Sequence, residues 1–326
     1  MNEFHPLLRN PHLATVAANF WPRNGIEERF PVEAKLFSVD PETRILVHIQ
    51  RPGPPTSGDV VLVHGLEGSS RSGYMVSLAA TLLTHGFTVH RMNIRTCGGT
   101  EFQCRTLYHA GLTTDLFAYL AYLDRERRTP VYLVGFSLGG NMALKLAGEL
   151  GPDAGRLLAG VAAVCTPLDL KACSLRLNAR ANYLYQWWFL RSMRTRLKRR
   201  AAILGPNVAV GDADIVKSVY ELDDRITGPA FGFHGADHYY ETQSALGFLD
   251  AIRVPTLLIQ SQDDPLVPFE VCTRPVVRAN RRIRLLTPEA GGHIGFLSRS
   301  LPRFWVDGVI CRWIQDQRNE MGSAGV

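Results

Sequence analysis

Residues 131–150, VYLVGFSLGGNMALKLAGEL, constrain this chain more than any other stretch. A continuously apolar run ends in Gly135-Phe136-Ser137-Leu138-Gly139, and a helical pattern begins at once. An apolar run without alternation is the signature of a strand covered on both faces. A serine at the sharp turn between such a strand and a helix needs neighbours without a Cβ, and the helix N-terminus beside it favours developing negative charge. The G-x-S-x-G string alone is weak, because glycine and serine are common in turns. A strand before it and a helix after it make it specific.

The same rhythm runs through most of the chain. β-Rich runs at 45–50, 60–63, 88–93, 131–135, 160–165, 256–260 and 283–286 alternate with helical stretches. That pattern predicts an α/β fold: a mostly parallel central sheet flanked by helices, in which the first strands can run antiparallel. The 326 residues fit one large domain carrying an insertion. The rhythm breaks between Thr166 and Arg253, far beyond the usual connection of about 4–6 residues, so 166–252 is expected to be an inserted helical cap. The whole chain, 1–326, is read as a single domain.

A serine hydroxyl is a poor nucleophile at neutral pH and needs a base, with an acid to orient that base. After the run TLLIQSQ comes Asp263-Asp264-Pro265-Leu266-Val267-Pro268, and after IRLLT comes a glycine-rich stretch holding Gly291-Gly292-His293. Both follow strands, where sites in open α/β sheets collect. His293 is the expected base and Asp264 the preferred acid, with Asp263 as the alternative. The turn after VVLV, His64-Gly65-Leu66-Glu67-Gly68, is expected to supply one oxyanion donor through the Leu66 N–H, and Leu138 the other. His64 is expected to shape that turn.

Several other chemistries are not supported. His234, Asp237 and His238 lack metal-ligand spacing and read as a polar cap segment, so no metal is expected. Gly98-Gly99 lacks the G-x-G-x-x-G pattern, and no cofactor is expected. The six cysteines have no C-x-x-C spacing and read as reduced thiols of a cytoplasmic protein. The longest apolar run, 157–165, is about half of what a bilayer span requires, and the N-terminus lacks a leader pattern.

Hydrophobic residues make up 46% and charged residues 20%, which excludes disordered and fibrous classes. The net charge of +6 is local: residues 176–200 hold Arg176, Arg180, Arg191, Arg194, Arg196, Lys198, Arg199 and Arg200 without an acid. Tyr183, Tyr185, Trp187, Trp188 and Phe189 interleave with them. The plain expectation is a solvated cationic helix face over an aromatic underside. The same mixture suits peripheral contact with an anionic membrane surface, an entrance for an anionic substrate, or nucleic acid. Nucleic acid is not an expected partner, and a monomer is expected.

Taken together, the chain resembles the α/β-hydrolases, in particular the YheT-like branch related to eukaryotic esterases and lipases of that fold. The resemblance rests on Asn10-Pro11-His12-Leu13, HGLEGSS at 64–70, Asn93-Ile94-Arg95-Thr96-Cys97-Gly98-Gly99, Tyr108-His109-Ala110-Gly111, GFSLGGN at 135–141, Leu222-Asp223-Asp224-Arg225-Ile226-Thr227, Tyr239-Tyr240, DDP at 263–265 and GGHIGF at 291–296. It implies that Ser137, Asp264 and His293 form a charge-relay triad. Thr96 stands where the resemblance leads one to expect glycine, and Ala110 where it leads one to expect serine. The implied activity is hydrolysis of small-molecule or lipid acyl esters through an acyl-enzyme. Acyl transfer or thioester cleavage by the same residues, and a non-catalytic binding module on this fold, are the alternatives.

Overall fold

The computed structural model describes residues 3–324 except 24, 25, 55, 127, 128, 206 and 207. Its strands are β1 (Glu33–Asp40), β2 (Thr43–Gln50), β3 (Asp59–Val63), β4 (Thr88–Met92), β5 (Val131–Phe136), β6 (Gly160–Val164), β7 (Thr256–Ile259) and β8 (Ile283–Leu286). They form one sheet in the order β1-β2-β4-β3-β5-β6-β7-β8. β1 and β2 are antiparallel to their neighbours, and β4 through β8 run parallel. Every run expected to be a strand is one. β1 was not anticipated, because EAKLFSVD packs only one side as the outer strand and its burial alternates.

The main helices are α1 (Pro11–Phe20), α2 (Gly73–Thr84), α3 (Thr114–Glu126), α4 (Leu138–Leu150), α5 (Leu170–Leu177), α6 (Tyr183–Arg200), α7 (Ala236–Gln243) and α8 (Trp305–Ala324). Alternate residues of the fully buried strands feed opposite layers. Val61, Val63 and Leu133 pack with Leu116 of α3 and Leu144 of α4. Val60, Leu62 and Val134 pack with Leu78 of α2 and Ile310 of α8. A sheet buried this way on both sides explains why its strands read as unbroken apolar runs.

Between β6 and β7 the described residues form helices and turns but no strand. Leu177, Leu190, Met193, Leu197, Val216 and Leu222 from this segment make a third apolar cluster, which includes Leu266 from the loop after β7. Chain order reverses at β3, which pairs with β4 on one side and β5 on the other. The crevice at the C-terminal ends of β3 and β5 is therefore where a site is expected in an open parallel sheet.

Candidate active site

Ser137 sits at the junction of β5 and α4 with φ 51° and ψ −120°. A non-glycine residue in such a conformation costs on the order of 1–3 kcal/mol and persists only when its surroundings hold it. Here its N–H donates to Val164 O at 2.8 Å, and its carbonyl accepts from Gly140 N at 2.8 Å. The flanking glycines are a steric requirement. A Cβ on Gly135 would lie 2.2 Å from Gly139 O, and one on Gly139 would lie 2.4 Å from Val63 O. The start of α4 thus presses against the end of β3.

The loop after β8 carries His293 over this turn, where Nε2 stands 3.0 Å from Ser137 Oγ. Nδ1 is 2.9 Å from Asp264 Oδ2 and 3.2 Å from Oδ1. With Asp264 as the acceptor, the imidazole proton belongs on Nδ1, which leaves Nε2 to accept from the serine O–H. Asp264 is buried and also accepts from Leu266 N at 2.8 Å, Val267 N at 3.0 Å and Gln260 Nε2 at 3.0 Å. Those contacts fix the carboxylate in one orientation.

The two aspartates divide the work. Asp263 accepts from Gly292 N at 2.8 Å and so grips the backbone of the His293 loop, while Asp264 reaches the ring. Burial raises the Asp263 carboxyl above its ordinary value, and the backbone donors at Gly292 and Gly291 oppose that shift. Gly292 has φ 56°, and a Cβ there would meet Pro11 O at 2.4 Å. The loop is also held from a distance. Thr15 of α1 accepts from His293 N at 2.8 Å, and Ser261 Oγ donates to Gly292 O at 2.5 Å. Nothing in the local sequence marks Thr15, Gln260 or Ser261 for this duty, because each acts through a contact that only folding creates.

Residues 59–300 match the family described as alpha/beta hydrolase fold. The chain belongs to the α/β-hydrolase family. It is 33% identical over 260 residues to YheT of Escherichia coli, which is named as an esterase; the match covers 78% of this chain and 76% of that protein. It is 32% identical over 278 residues to the medium-chain fatty acid ethyl ester synthase/esterase 2 of Saccharomyces cerevisiae, over 74% of this chain and 58% of that protein. An esterase of Pyrococcus furiosus superposes with a TM-score of 0.63 at 15% identity, over 91% of this chain and 96% of that one, a likeness of fold. This α/β-hydrolase is a carboxylic ester hydrolase of the esterase and lipase type.

In this hydrolase Cys165, Asp264 and His293 bring potential ligand atoms within 4.8 Å of one another, the group among the described residues that most resembles a metal site. The donor set is a poor one. Burial pushes the Cys165 thiol well above its usual range, so it stays protonated, and its sulfur already receives Ile294 N at 3.3 Å. His64 is fully buried and shapes the turn after β3: its Nδ1 meets Gly65 O at 2.7 Å, and Nε2 accepts from Ile94 N at 3.1 Å. Burial lowers its pKa to about 4, so it is neutral.

Leu66 and Leu138 both border the pocket at Ser137. Leu138 is the first residue of α4, so its N–H has no partner within the helix. Glu67, next to Leu66, carries a network that sequence reasoning missed. Its buried carboxylate pairs with Arg196 of α6 and accepts from Ser192 Oγ at 2.6 Å and Tyr108 O–H at 3.0 Å. Arg196 also donates to Thr96 Oγ1 at 2.8 Å and lies 4.5 Å from the centre of the Tyr108 ring. Thr96 has φ 68°, the left-handed conformation for which glycine was the expected residue, and its hydroxyl here holds the arginine. Arg200 is wholly buried and donates to the carbonyls of Glu101, Cys104 and Thr106 at 2.6–2.8 Å.

The expectation of a cationic outer face over an aromatic underside is therefore corrected in part: Arg191, Lys198 and Arg199 are exposed as expected. Arg196 and Arg200 point inward to stitch α6 onto the loops after β3 and β4. Tyr183, Leu184, Trp187 and Trp188 face outward.

Two spaces meet at Ser137 and His293. An inner pocket runs beneath the β6–β7 segment between Leu107, Leu170, Leu177, Leu197 and Leu222. Buried Asp223 also lines it, receiving Tyr240 O–H at 2.7 Å. Burial pushes the Asp223 carboxyl up to about 6. An outer groove opens on the other side, between α1, the turn after β3 and the N-terminal half of α6.

Proposed function

We propose that this enzyme hydrolyses acyl esters through a covalent acyl-enzyme, with Ser137 as nucleophile, His293 as general base and acid, and Asp264 as its orienting carboxylate. The observation that carries the reading is the hydrogen-bonded chain from Ser137 Oγ through His293 to Asp264 at a strained strand-to-helix turn. Ser137 Oγ attacks the ester carbonyl carbon as its proton passes to His293 Nε2. The N–H groups of Leu66 and Leu138 receive the oxyanion. Collapse of the tetrahedral adduct breaks the carbon–oxygen bond to the alcohol, which leaves with the proton from His293. Water then attacks the acyl carbon as His293 takes its proton; collapse breaks the bond between Ser137 Oγ and the acyl carbon, the carboxylic acid leaves, and His293 returns the proton to Oγ.

The aliphatic inner pocket suits the acyl chain, and the outer groove suits the alcohol portion. The 166–252 segment acts as the cap that closes the acyl side. A second reading, transfer of the acyl group to an alcohol in place of water, has one support: the yeast relative is named as both an ester synthase and an esterase. Both readings use the same residues.

The test is hydrolysis of p-nitrophenyl esters from acetyl to long chains beside Ser137→Ala, with covalent labelling by a fluorophosphonate. Turnover and labelling that both vanish in the variant are the expected result, and added ethanol separates hydrolysis from transfer by product. A variant that keeps its turnover would overturn the assignment of Ser137.

A further inference from the structure

The outer groove has an unusual rim. On α1, Leu13, Val16 and Phe20 fall on one outward stripe at helical spacing, and Phe20 is 77% exposed. On α6, Leu184 is 75% exposed and Trp187 and Trp188 about half, with Tyr183 beside them. Val16, Phe20, Leu184 and Trp188 line the same groove that reaches Ser137 and His293. The two helices are joined across it by His12 Nδ1 and Tyr185 O–H, 3.3 Å apart with their rings stacked. The apolar edges therefore belong to one built surface, not to isolated residues scattered over the molecule.

The segments that bear the rim carry charge of one sign. Residues 4–26, which contain α1, and residues 170–211, which contain α5 and α6, include no Asp or Glu. Arg9, Arg71, Arg176, Arg180 and Arg191 are exposed, and Arg191 lies 5.6 Å from the Trp187 ring centre. Glu67, the acid that lines the groove, is neutralised from within by Arg196. Exposed tryptophan, tyrosine and phenylalanine flanked by arginine without acids suit the boundary between water and acyl chains, where rings sit at headgroup depth and cations meet anionic headgroups.

We propose that the groove rim, Leu13, Val16 and Phe20 of α1 with Leu184, Trp187 and Trp188 of α6, seats the enzyme on an anionic lipid surface. Docking there places the mouth of the groove against the lipid, so an ester passes from the surface to Ser137 without crossing bulk water. The inference deepens the esterase reading on the substrate side, and the binding itself does not depend on catalysis. Among the described residues no other element covers these side chains, while Arg196 and Arg200 already anchor α6 from below.

The test is flotation of the full-length protein with vesicles of phosphatidylcholine alone and of phosphatidylcholine and phosphatidylglycerol in equal parts. Turnover of soluble p-nitrophenyl acetate and analytical ultracentrifugation run alongside. The wild type and Ser137→Ala are expected to float equally with the anionic vesicles and to bind the neutral ones weakly. Each cation lost from the surface lowers partitioning about fivefold, so Arg180→Glu with Arg191→Glu is expected to reduce it by more than about twentyfold. Leu13→Ser with Trp187→Ser lies outside the groove lining and is expected to lose flotation about tenfold or more while soluble turnover is unchanged.

Wild-type protein that stays with the vesicle-free fraction would overturn the proposal, and so would variants that float as well as wild type. A dimer that Leu13→Ser with Trp187→Ser dissociates would assign the rim to a second copy of the chain instead. Flotation without any ester turnover would leave the docking surface standing and count against the esterase mechanism.

Discussion

Replacing Arg196 with methionine tests whether α6 controls the turn that carries Leu66. The guanidinium is bonded to Glu67 and Thr96 and stacked on Tyr108, and the Glu67 side chain is only 5% exposed. Burial works against the charge on Arg196, but Tyr108 and Glu67 outweigh it and raise its pKa. Arg196→Met keeps the apolar stem and, among the described residues, leaves the Glu67 carboxylate buried with the neutral donors Ser192 and Tyr108. Removing one partner of a buried pair costs about 3–5 kcal/mol, most of it from the stranded charge. For a chain of 326 residues that corresponds to a fall in Tm of about 4–7 °C.

Because Glu67 is chained to Leu66, displacement of the turn is expected also to weaken oxyanion binding at the proposed Leu66 donor. Loss of one such donor lowers kcat by about 10²–10³, and partial displacement is expected to give about tenfold or more with a short-chain ester. The double variant Glu67→Gln/Arg196→Met removes the stranded charge, so it is expected to recover at least half of the lost Tm. Calorimetry and p-nitrophenyl acetate kinetics on the three variants decide the matter. A single variant with unchanged Tm and kcat, or a double variant as unstable as Arg196→Met, would refute the argument.

Asp264→Asn is expected to lower kcat by about 10⁴ in a folded protein, as expected when the wrong imidazole tautomer is imposed. Asp263→Asn should mainly loosen the His293 loop, costing about 1–2 kcal/mol of stability in a melt; equal losses of kcat in the two variants would contradict the division seen here. Thr15→Val strands the His293 N–H, and a fall of about 1–3 kcal/mol in stability with reduced kcat and steady KM is expected. Asp307 is pushed by burial from 3.8 up to about 7, so between those pH values the folded state holds the proton more tightly and stability falls as pH rises. Asp307→Asn is therefore expected to raise Tm at pH 8 and hardly at pH 4, and an equal gain at both would contradict it.

The central strands β3, β5, β6 and β7 were legible because each is covered on both faces, which forces a largely apolar run into the local sequence. β1 escaped because an outer strand with one solvated side needs no such run. The Ser137 turn was legible for a different reason: two glycines are demanded by atoms within a few residues, Gly139 O above Gly135 and Val63 O above Gly139. α6 was misread because its inward stripe, Leu190, Met193 and Leu197, shows where the aliphatic side chains go but not which of the interleaved aromatic and basic residues follow them inward. What turned Arg196 and Arg200 inward were acceptors roughly a hundred residues away in sequence, the Glu67 carboxylate, the Thr96 hydroxyl and the carbonyls after β4.

The sequence by itself therefore determined what is local or periodic: the parallel sheet, the strand-to-helix serine turn, and the loops that carry the aspartates and His293. Tertiary structure decided which aspartate faces the imidazole, that Thr15 of α1 holds the His293 backbone, and which side of α6 meets water. Those choices depend on the positions of hydrogen-bonding partners brought together only by the folded sheet, and burial makes each partner indispensable, because a charge or N–H left alone there has no water to turn to.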